Sequence, residues 1–208
     1  MNISIIGAGN VGQKLAKLIH DAGHEVFIGL NDLTKKPQSA PYQYGSLEEA
    51  AQFGDIVLFT VPYTAYAEIL PKLAANLQGK TVIDVTNSIN ADWSPLLLGE
   101  ENSGGETVTQ LLPQSYVVKA FNTVFADIMT KEGLNRHGQA VTAFVAGDDQ
   151  EANQVVCKLA SEIGFAPIIV GPMKCARYLE AMAHLNIQIA VGMGKGTNGA
   201  LVYHEKSF

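Results

Sequence analysis

Gly7, Gly9 and Gly12 fall in the run Gly7-Ala8-Gly9-Asn10-Val11-Gly12. Glycines at this spacing can hold the pyrophosphate of a dinucleotide. The first permits a sharp turn, the second lets the backbone approach the phosphates, and the third lets a helix pack closely on a strand. The phosphate charge then meets the free N–H groups and positive dipole end of the helix that follows. The same residues would also make a plain tight turn, so the surroundings must decide. Asn2 to Ile6 reads as a short apolar strand. Between Asn10 and Ala22, Val11, Leu15, Leu18 and Ile19 recur at helical spacing, and Gly23 ends that helix. Glu25 to Ile28 gives a second strand. A strand, glycine turn, helix and strand within about 30 residues is the setting a dinucleotide motif requires.

The end of the second strand should read the adenosine ribose. It carries Gly29-Leu30-Asn31-Asp32 and then Leu33-Thr34-Lys35-Lys36. Asp32 lies 32 − 12 = 20 positions beyond the third glycine, where an acidic residue accepts from the ribose 2′-OH of NAD. Lys35 and Lys36 suit the 2′-phosphate of NADP instead. An exposed polar loop is the remaining reading.

Further polar groups stand at strand C-terminal ends, where open α/β sheets bind ligands. These are Thr60-Val61-Pro62, Val85-Thr86-Asn87 and the run Lys119 to Thr123. Lys119 and Asn122 could anchor a nicotinamide or a substrate. Lys119 equally suits a side chain that snorkels to solvent, and that reading is preferred to a catalytic one. His184, on an apolar stretch, reads as a packing residue before it reads as a base. No spacing supports a metal site, and no Ser-His-Asp arrangement emerges.

The elements that must position these residues alternate along the chain. Ser46 precedes a helix beginning at Leu47, with Glu49 at capping-box spacing. "DIVLFTVP" is an apolar strand, Tyr63 to Leu77 a helix interrupted at Pro71, and "KTVIDVTN" another strand. Asn87 to Gly105 is a loop with Trp93 and Pro95. Ser103 and Glu106 form a second capping pair before "YVVKAFNT", a further strand. Beyond Ala126 come a strand in "AVTAFVAGDD", a helix from Gln150 to Ile163, a last strand in "APIIVG", and one long helix over 173–191. Apolar strands alternating with helices predict an α/β, Rossmann-type doubly wound, mostly parallel sheet. The expected division is a dinucleotide-binding part over 1–126 and a smaller C-terminal α/β part over 127–208. The terminal helix is apolar on most sides, which suggests burial against a second subunit.

The bulk numbers fit this class. The 208 residues suffice for one large core or a core with a small appendage. A net charge of −6 and the lack of a basic stripe point away from nucleic acid. The apolar stretch near the end carries Arg177, Glu180 and His184, which disfavours a membrane span. Cys157 and Cys175 are far apart and outside any Cys-x-x-Cys pattern, so buried thiols in a reducing compartment are expected, with a disulfide as the lesser alternative. No leader pattern is evident at the N-terminus, and the cytoplasm is the expected location.

Nearly the whole chain resembles the NADP oxidoreductases that depend on the deazaflavin coenzyme F420, and their bacterial relatives. The resemblance runs through "IIGAGNVG", "GHEVFIG", "DIVLFTVP", "VVKAFNT", "AGDD" and "GPMKCARYLEAMAHLNIQ". The same domain type occurs in the cytoplasmic part of six-transmembrane ferric reductases. The resemblance implies NADP(H) with its pyrophosphate at Ala8, Gly9, Asn10 and Val11, and a dimer formed through the terminal helices. It implies that Thr60, Pro62, Asn87, Asn122, Thr123 and Ala126 line the nicotinamide half. Where the family places an arginine against the 2′-phosphate, this chain has Leu30 and Asn31, while Lys35 matches a family lysine. NADP is therefore expected, with NAD the alternative. Hydride transfer to a deazaflavin, a flavin or another small acceptor is expected. The rivals are a non-catalytic NAD(P)-binding sensor and a hydroxy-acid dehydrogenase with Lys119 or His184 as base.

Overall fold

A computed structural model of the protein describes residues 1–99 and 101–205. Position 100 of the expected loop and positions 206–208 of the expected C-terminal part lie outside the described residues. Among the described residues, ten strands and six α-helices follow one another, beginning β1 (Asn2–Ile6), α1 (Asn10–Asp21), β2 (Glu25–Leu30), β3 (Gln43–Ser46), α2 (Leu47–Phe53), β4 (Ile56–Phe59), α3 (Tyr66–Leu73) and β5 (Thr81–Asp84). The second half holds α4 (Gly104–Leu111), β6 (Tyr116–Lys119), β7 (Asn135–Arg136), β8 (Gln139–Ala140), β9 (Thr142–Gly147), α5 (Gln150–Glu162), β10 (Ala166–Gly171) and α6 (Ala176–Ile187).

Eight strands form one sheet in the order β10-β9-β6-β5-β4-β1-β2-β3. The stretch β3-β2-β1-β4-β5-β6 is parallel throughout and has the Rossmann strand order. The order reverses between β1 and β4, which opens a crevice at their C-terminal ends. β9 joins β6 antiparallel and β10 joins β9 parallel, so the C-terminal part extends the same sheet. Successive strand residues alternate between two buried layers. Ile3, Ile5, Ile56 and Leu58 pack with α1 and α5, while Ile6, Val57 and Phe59 pack with α2, α3 and α4. Burial on both faces is why these strands read as unbroken apolar runs.

Several sequence readings change in detail. The short edge strand β3 and the hairpin β7–β8 are additional. The helix expected over 63–77 is a 3-10 turn at Tyr63–Ala65, then α3, then a 3-10 stretch at Ala74–Leu77. It leaves α-geometry two residues after Pro71, whose ring and missing N–H disrupt the ladder. The terminal run is helical over 173–192 but changes pitch, from a 3-10 turn through α6 to a π-turn at Gln188–Gly192. Ser46 and Glu49 complete the predicted capping box. Ser103 caps α4, and the Glu106 carboxylate accepts from the Ser103 hydroxyl at 2.7 Å and from Arg177 of α6 at 2.7–3.2 Å. Cys157 and Cys175 are both free and half-buried, not fully buried, and burial pushes the Cys157 thiol up. Among the described residues no helix is long and apolar enough to cross a membrane.

Candidate functional site

The glycine loop sits at the crevice. Gly7 turns at φ 112°, a left-handed conformation that a side chain would strain, and its N–H donates to the Gly29 carbonyl. Its own carbonyl accepts from the Thr60 hydroxyl at 3.1 Å, which ties the loop to the end of β4. A Cβ on Gly12 would stand 2.2 Å from the Gly7 carbonyl oxygen, so this glycine is what lets α1 lie against the strand end. Gly12 is buried and lines neither of the clefts described next. Gly9 differs from both. Its φ is −71°, and a Cβ there would meet nothing within 4 Å. It caps α1 without a side chain, so no side-chain acceptor occupies the amides of the first turn.

Two clefts meet at this loop and share Gly9 and Val61. The smaller, of about 420 Å³, is bordered by Gly7, Ala8, Leu30, Asn31, Asp32 and Lys35, with Gln13 and Tyr44 on its wall. The larger, of about 450 Å³, runs along the ends of β4, β5 and β6. It gathers Asn10, Val11, Thr60, Pro62, Asn87, Asn122, Thr123 and Ala126, all residues singled out from the sequence. Trp93, Asp127, Asn186, Ile187 and Thr197 also line it, and none of them was singled out from the sequence as a site residue.

The smaller cleft is built at the end of β2. Leu30 is 8% exposed and belongs to the core, so it offers the cleft little surface. Asn31 is exposed. Asp32 caps the turn that follows, accepting from the Thr34 N–H at 3.0 Å and the Thr34 hydroxyl at 2.7 Å. Those bonds, with Lys35 at 3.9 Å, hold its carboxyl below the usual range. Lys36 does not line this cleft.

In the larger cleft, Asn87 and Asn122 fix one another. Asn87 Nδ2 donates to the Asn122 carbonyl at 2.8 Å, and Asn122 Nδ2 donates to Asn87 Oδ1 at 2.9 Å. The other Asn122 N–H goes to the Leu179 carbonyl at 3.0 Å. Both donors face acceptors, which fixes the amide orientation and leaves Oδ1 buried without a partner. A lone buried acceptor at a cleft wall is costly unless a donor arrives.

Lys119 corrects the sequence reading. It neither snorkels nor reaches the cleft. Its side chain is fully buried, with Nζ 2.8 Å from Asp84 Oδ2, 2.8 Å from Glu180 Oε1 and 2.6 Å from the Thr86 carbonyl. Burial alone would lower its pKa, but the two carboxylates outweigh burial and hold it above the ordinary lysine value. Burial pushes Glu180 up, while Lys119, the Ser88 hydroxyl and the Gly104 amide pull it below its ordinary value. Tyr66 donates to Asp84 at 2.7 Å, and burial with that carboxylate raises its pKa well above normal. This network holds the wall segment Thr86-Asn87-Ser88 against α6 and the start of α4. His184 packs as expected, with Nε2 3.1 Å from the Ser88 carbonyl. Neither proposed base lines a cleft.

The arrangement fits a dinucleotide on grounds of its own. Gly9 opens onto free space at a helix N-terminus, and Asn122 Oδ1, in a residue lining the larger cleft, is left without a donor.

Comparison with known proteins agrees. The model of the family described as NADP oxidoreductase, coenzyme F420-dependent, matches residues 2–88. The F420-dependent NADP reductase of Methanocaldococcus jannaschii is 31% identical over 156 residues, covering 72% of this chain and 69% of that protein. Metalloreductase STEAP3 of Rattus norvegicus is 28% identical over 185 residues; these cover 86% of this chain but 36% of the relative, so the chain spans about a third of its length. The crystal structure of a protein from Arthrobacter sp. FB24, described provisionally as an F420-dependent NADP reductase, superposes with a TM-score of 0.87 at 26% identity. That match covers 99% of this chain and 100% of the other.

Proposed function

Because this chain belongs to the F420-dependent NADP oxidoreductase family, we propose that it passes hydride between NADP(H) and a deazaflavin or flavin-like ring. The carrying observation is the pair of clefts meeting at Gly9 and Val61 over the start of α1. The glycine loop would hold the pyrophosphate, with Asn31 and Lys35 near the adenosine ribose. Thr60, Pro62, Asn87, Asn122, Thr123 and Ala126 would border the nicotinamide. Bound NADPH supplies a hydride, two electrons with one hydrogen nucleus, and water supplies the proton that completes the reduced acceptor.

The protein's part is placement. Val61, Pro62, Ile89 and Phe125 give the larger cleft apolar lining, which would limit water near the reacting ring. Asn87 and Asn122 would border the carboxamide, and the Lys119 network keeps the two in register. Hydride passing directly between two stacked rings needs no protein acid or base, so Lys119 and His184 standing outside the clefts is no obstacle. Lys35 favours NADP over NAD.

The same proposal includes a homodimer acting in the cytoplasm. Tyr178, Leu185 and Ile189 form an exposed apolar stripe on the terminal helical run, spaced for one helix face. A second copy would cover it, and sedimentation of the purified chain tests this. The activity itself is tested by following NADPH oxidation with riboflavin, FMN and the deazaflavin coenzyme. NADPH that binds without any being oxidised would favour a sensor instead.

A further inference from the structure

We propose that Gln13, held by the hydroxyls of Tyr42 and Tyr44, is a neutral donor for the 2′ substituent of the adenosine ribose and helps select a 2′-phosphate. This rests on the dinucleotide reading above and names a residue that sets its cofactor preference.

The first observation is the charge of the smaller cleft. Among the described residues, only Asp32 and Lys35 bring formal charge to its lining. They stand 3.9 Å apart and both are exposed, so the carboxylate offsets much of the ammonium's pull on an anion. Among the described residues no arginine lines the cleft, and Leu30 is buried in the core. A 2′-phosphate placed here needs hydrogen-bond donors beyond Lys35.

The second observation is Gln13. It lies one turn into α1, half-buried, and lines the same cleft as Asn31 and Lys35. Its Oε1 accepts from the Tyr44 hydroxyl at 3.2 Å and from the Tyr42 hydroxyl at 3.4 Å. A carbonyl oxygen has two lone pairs, and the two hydroxyls use both. That fixes which way the amide faces and leaves Nε2 without a protein acceptor among the described residues. The tyrosines are themselves braced. Their ring centroids lie 5.7 Å apart, and Tyr42 packs edge-on against His20 of α1 at the same distance. Tyr44 is 8% exposed and sits on β3, the short strand paired to the edge of β2. The edge strand thereby brings to α1 a hydroxyl that holds the Gln13 amide at the cleft. An amide N–H given to a phosphate is charge-assisted and stronger than one given to the 2′-OH of NADH, so its loss weakens NADPH more.

Gln13→Glu is the most selective probe. The carboxylate still accepts from both tyrosines, but it has no N–H and carries negative charge. The NADPH Kd should rise at least about thirtyfold. The NADH Kd should change by less than about threefold, because a carboxylate accepts from a ribose 2′-OH. Gln13→Leu removes the donor without adding charge, and should raise the NADPH Kd about tenfold and leave that of NADH within about twofold. Tyr44→Phe keeps Gln13 but frees its amide, and should raise the NADPH Kd about threefold. Calorimetric titration with NADPH, NADH and 2′,5′-ADP reads all three variants, and thermal melts check that each is folded. The fragment 2′,5′-ADP should follow NADPH, since it keeps the 2′-phosphate and lacks the nicotinamide. A ratio of NADPH to NADH affinity that neither Gln13 variant moves overturns the inference. A ratio that Tyr44→Phe leaves unmoved overturns the part given to the tyrosines. Failure of the unaltered chain to bind either dinucleotide is a different result: it defeats the dinucleotide reading, and this inference with it.

Discussion

The Lys119 ammonium on β6 lies 2.8 Å from the Glu180 carboxylate on α6, in a place that solvent does not reach. The contact ties the end of the sheet to the terminal helix, and Asp84 completes the buried group from β5. Two carboxylates around one ammonium leave the group with a net negative charge. Hydrogen bonds from Tyr66, Thr86, Ser88, Gly104 and Gly105 spread that charge over neighbouring elements.

Lys119→Met should therefore be severe, because it strands two buried carboxylates. A loss of about 3–5 kcal/mol is expected in urea denaturation, with Lys119→Met/Glu180→Gln less destabilised than the sum of the single changes. A loss under about 1 kcal/mol would mean that the cluster is hydrated.

The same cluster sets an acid limit. Glu180 is held below its ordinary value, so the stability it contributes is complete above the normal carboxylate range. That contribution is lost as pH falls through the depressed value, because the unfolded chain then binds the extra proton first. Stability should fall between about pH 5 and lower pH, and Glu180→Gln should flatten that slope. Denaturation midpoints across this range check it, and an equally steep slope in the variant would contradict it.

The glycines separate folding from binding. Gly9 has an ordinary φ and open space at its Cβ. Gly9→Ala should keep stability within about 1 kcal/mol yet weaken NADPH by about tenfold or more, since its methyl group would occupy the phosphate's place. Gly12→Ala should instead destabilise the fold, because its Cβ would stand 2.2 Å from the Gly7 carbonyl oxygen. Titration of NADPH beside thermal melts distinguishes the two.

Cofactor choice lies beyond β2. Asn31→Arg should raise the ratio of NADPH to NADH affinity about tenfold by adding a guanidinium for the 2′-phosphate. Lys35→Ala should lower it. If neither ratio moves, the smaller cleft does not hold the adenosine end.

Much of this was legible in the chain. The apolar runs and the glycine spacing carried the parallel sheet and the loop. The strand-end residues Thr60, Pro62, Asn87, Asn122 and Thr123 do converge on one cleft. β3 was not legible, because four residues including Gly45 form a strand only when β2 offers an edge. Lys119 was misread for a related reason: its partners stand 35 and 61 positions away, and no local pattern announces them. Trp93, Asp127, Asn186 and Thr197 come from a loop, a turn, a helix and the tail. Their meeting is a product of tertiary packing, and periodicity carries no trace of it.

The most direct test of the central claim uses NADPH deuterated at the transferred position, with riboflavin as acceptor in a single-turnover mixing experiment. Direct hydride transfer between stacked rings predicts saturable oxidation of NADPH, slowed by a primary isotope effect and weakened in Gly9→Ala. Tight binding of NADPH with no oxidation by riboflavin, FMN or the deazaflavin coenzyme would contradict it.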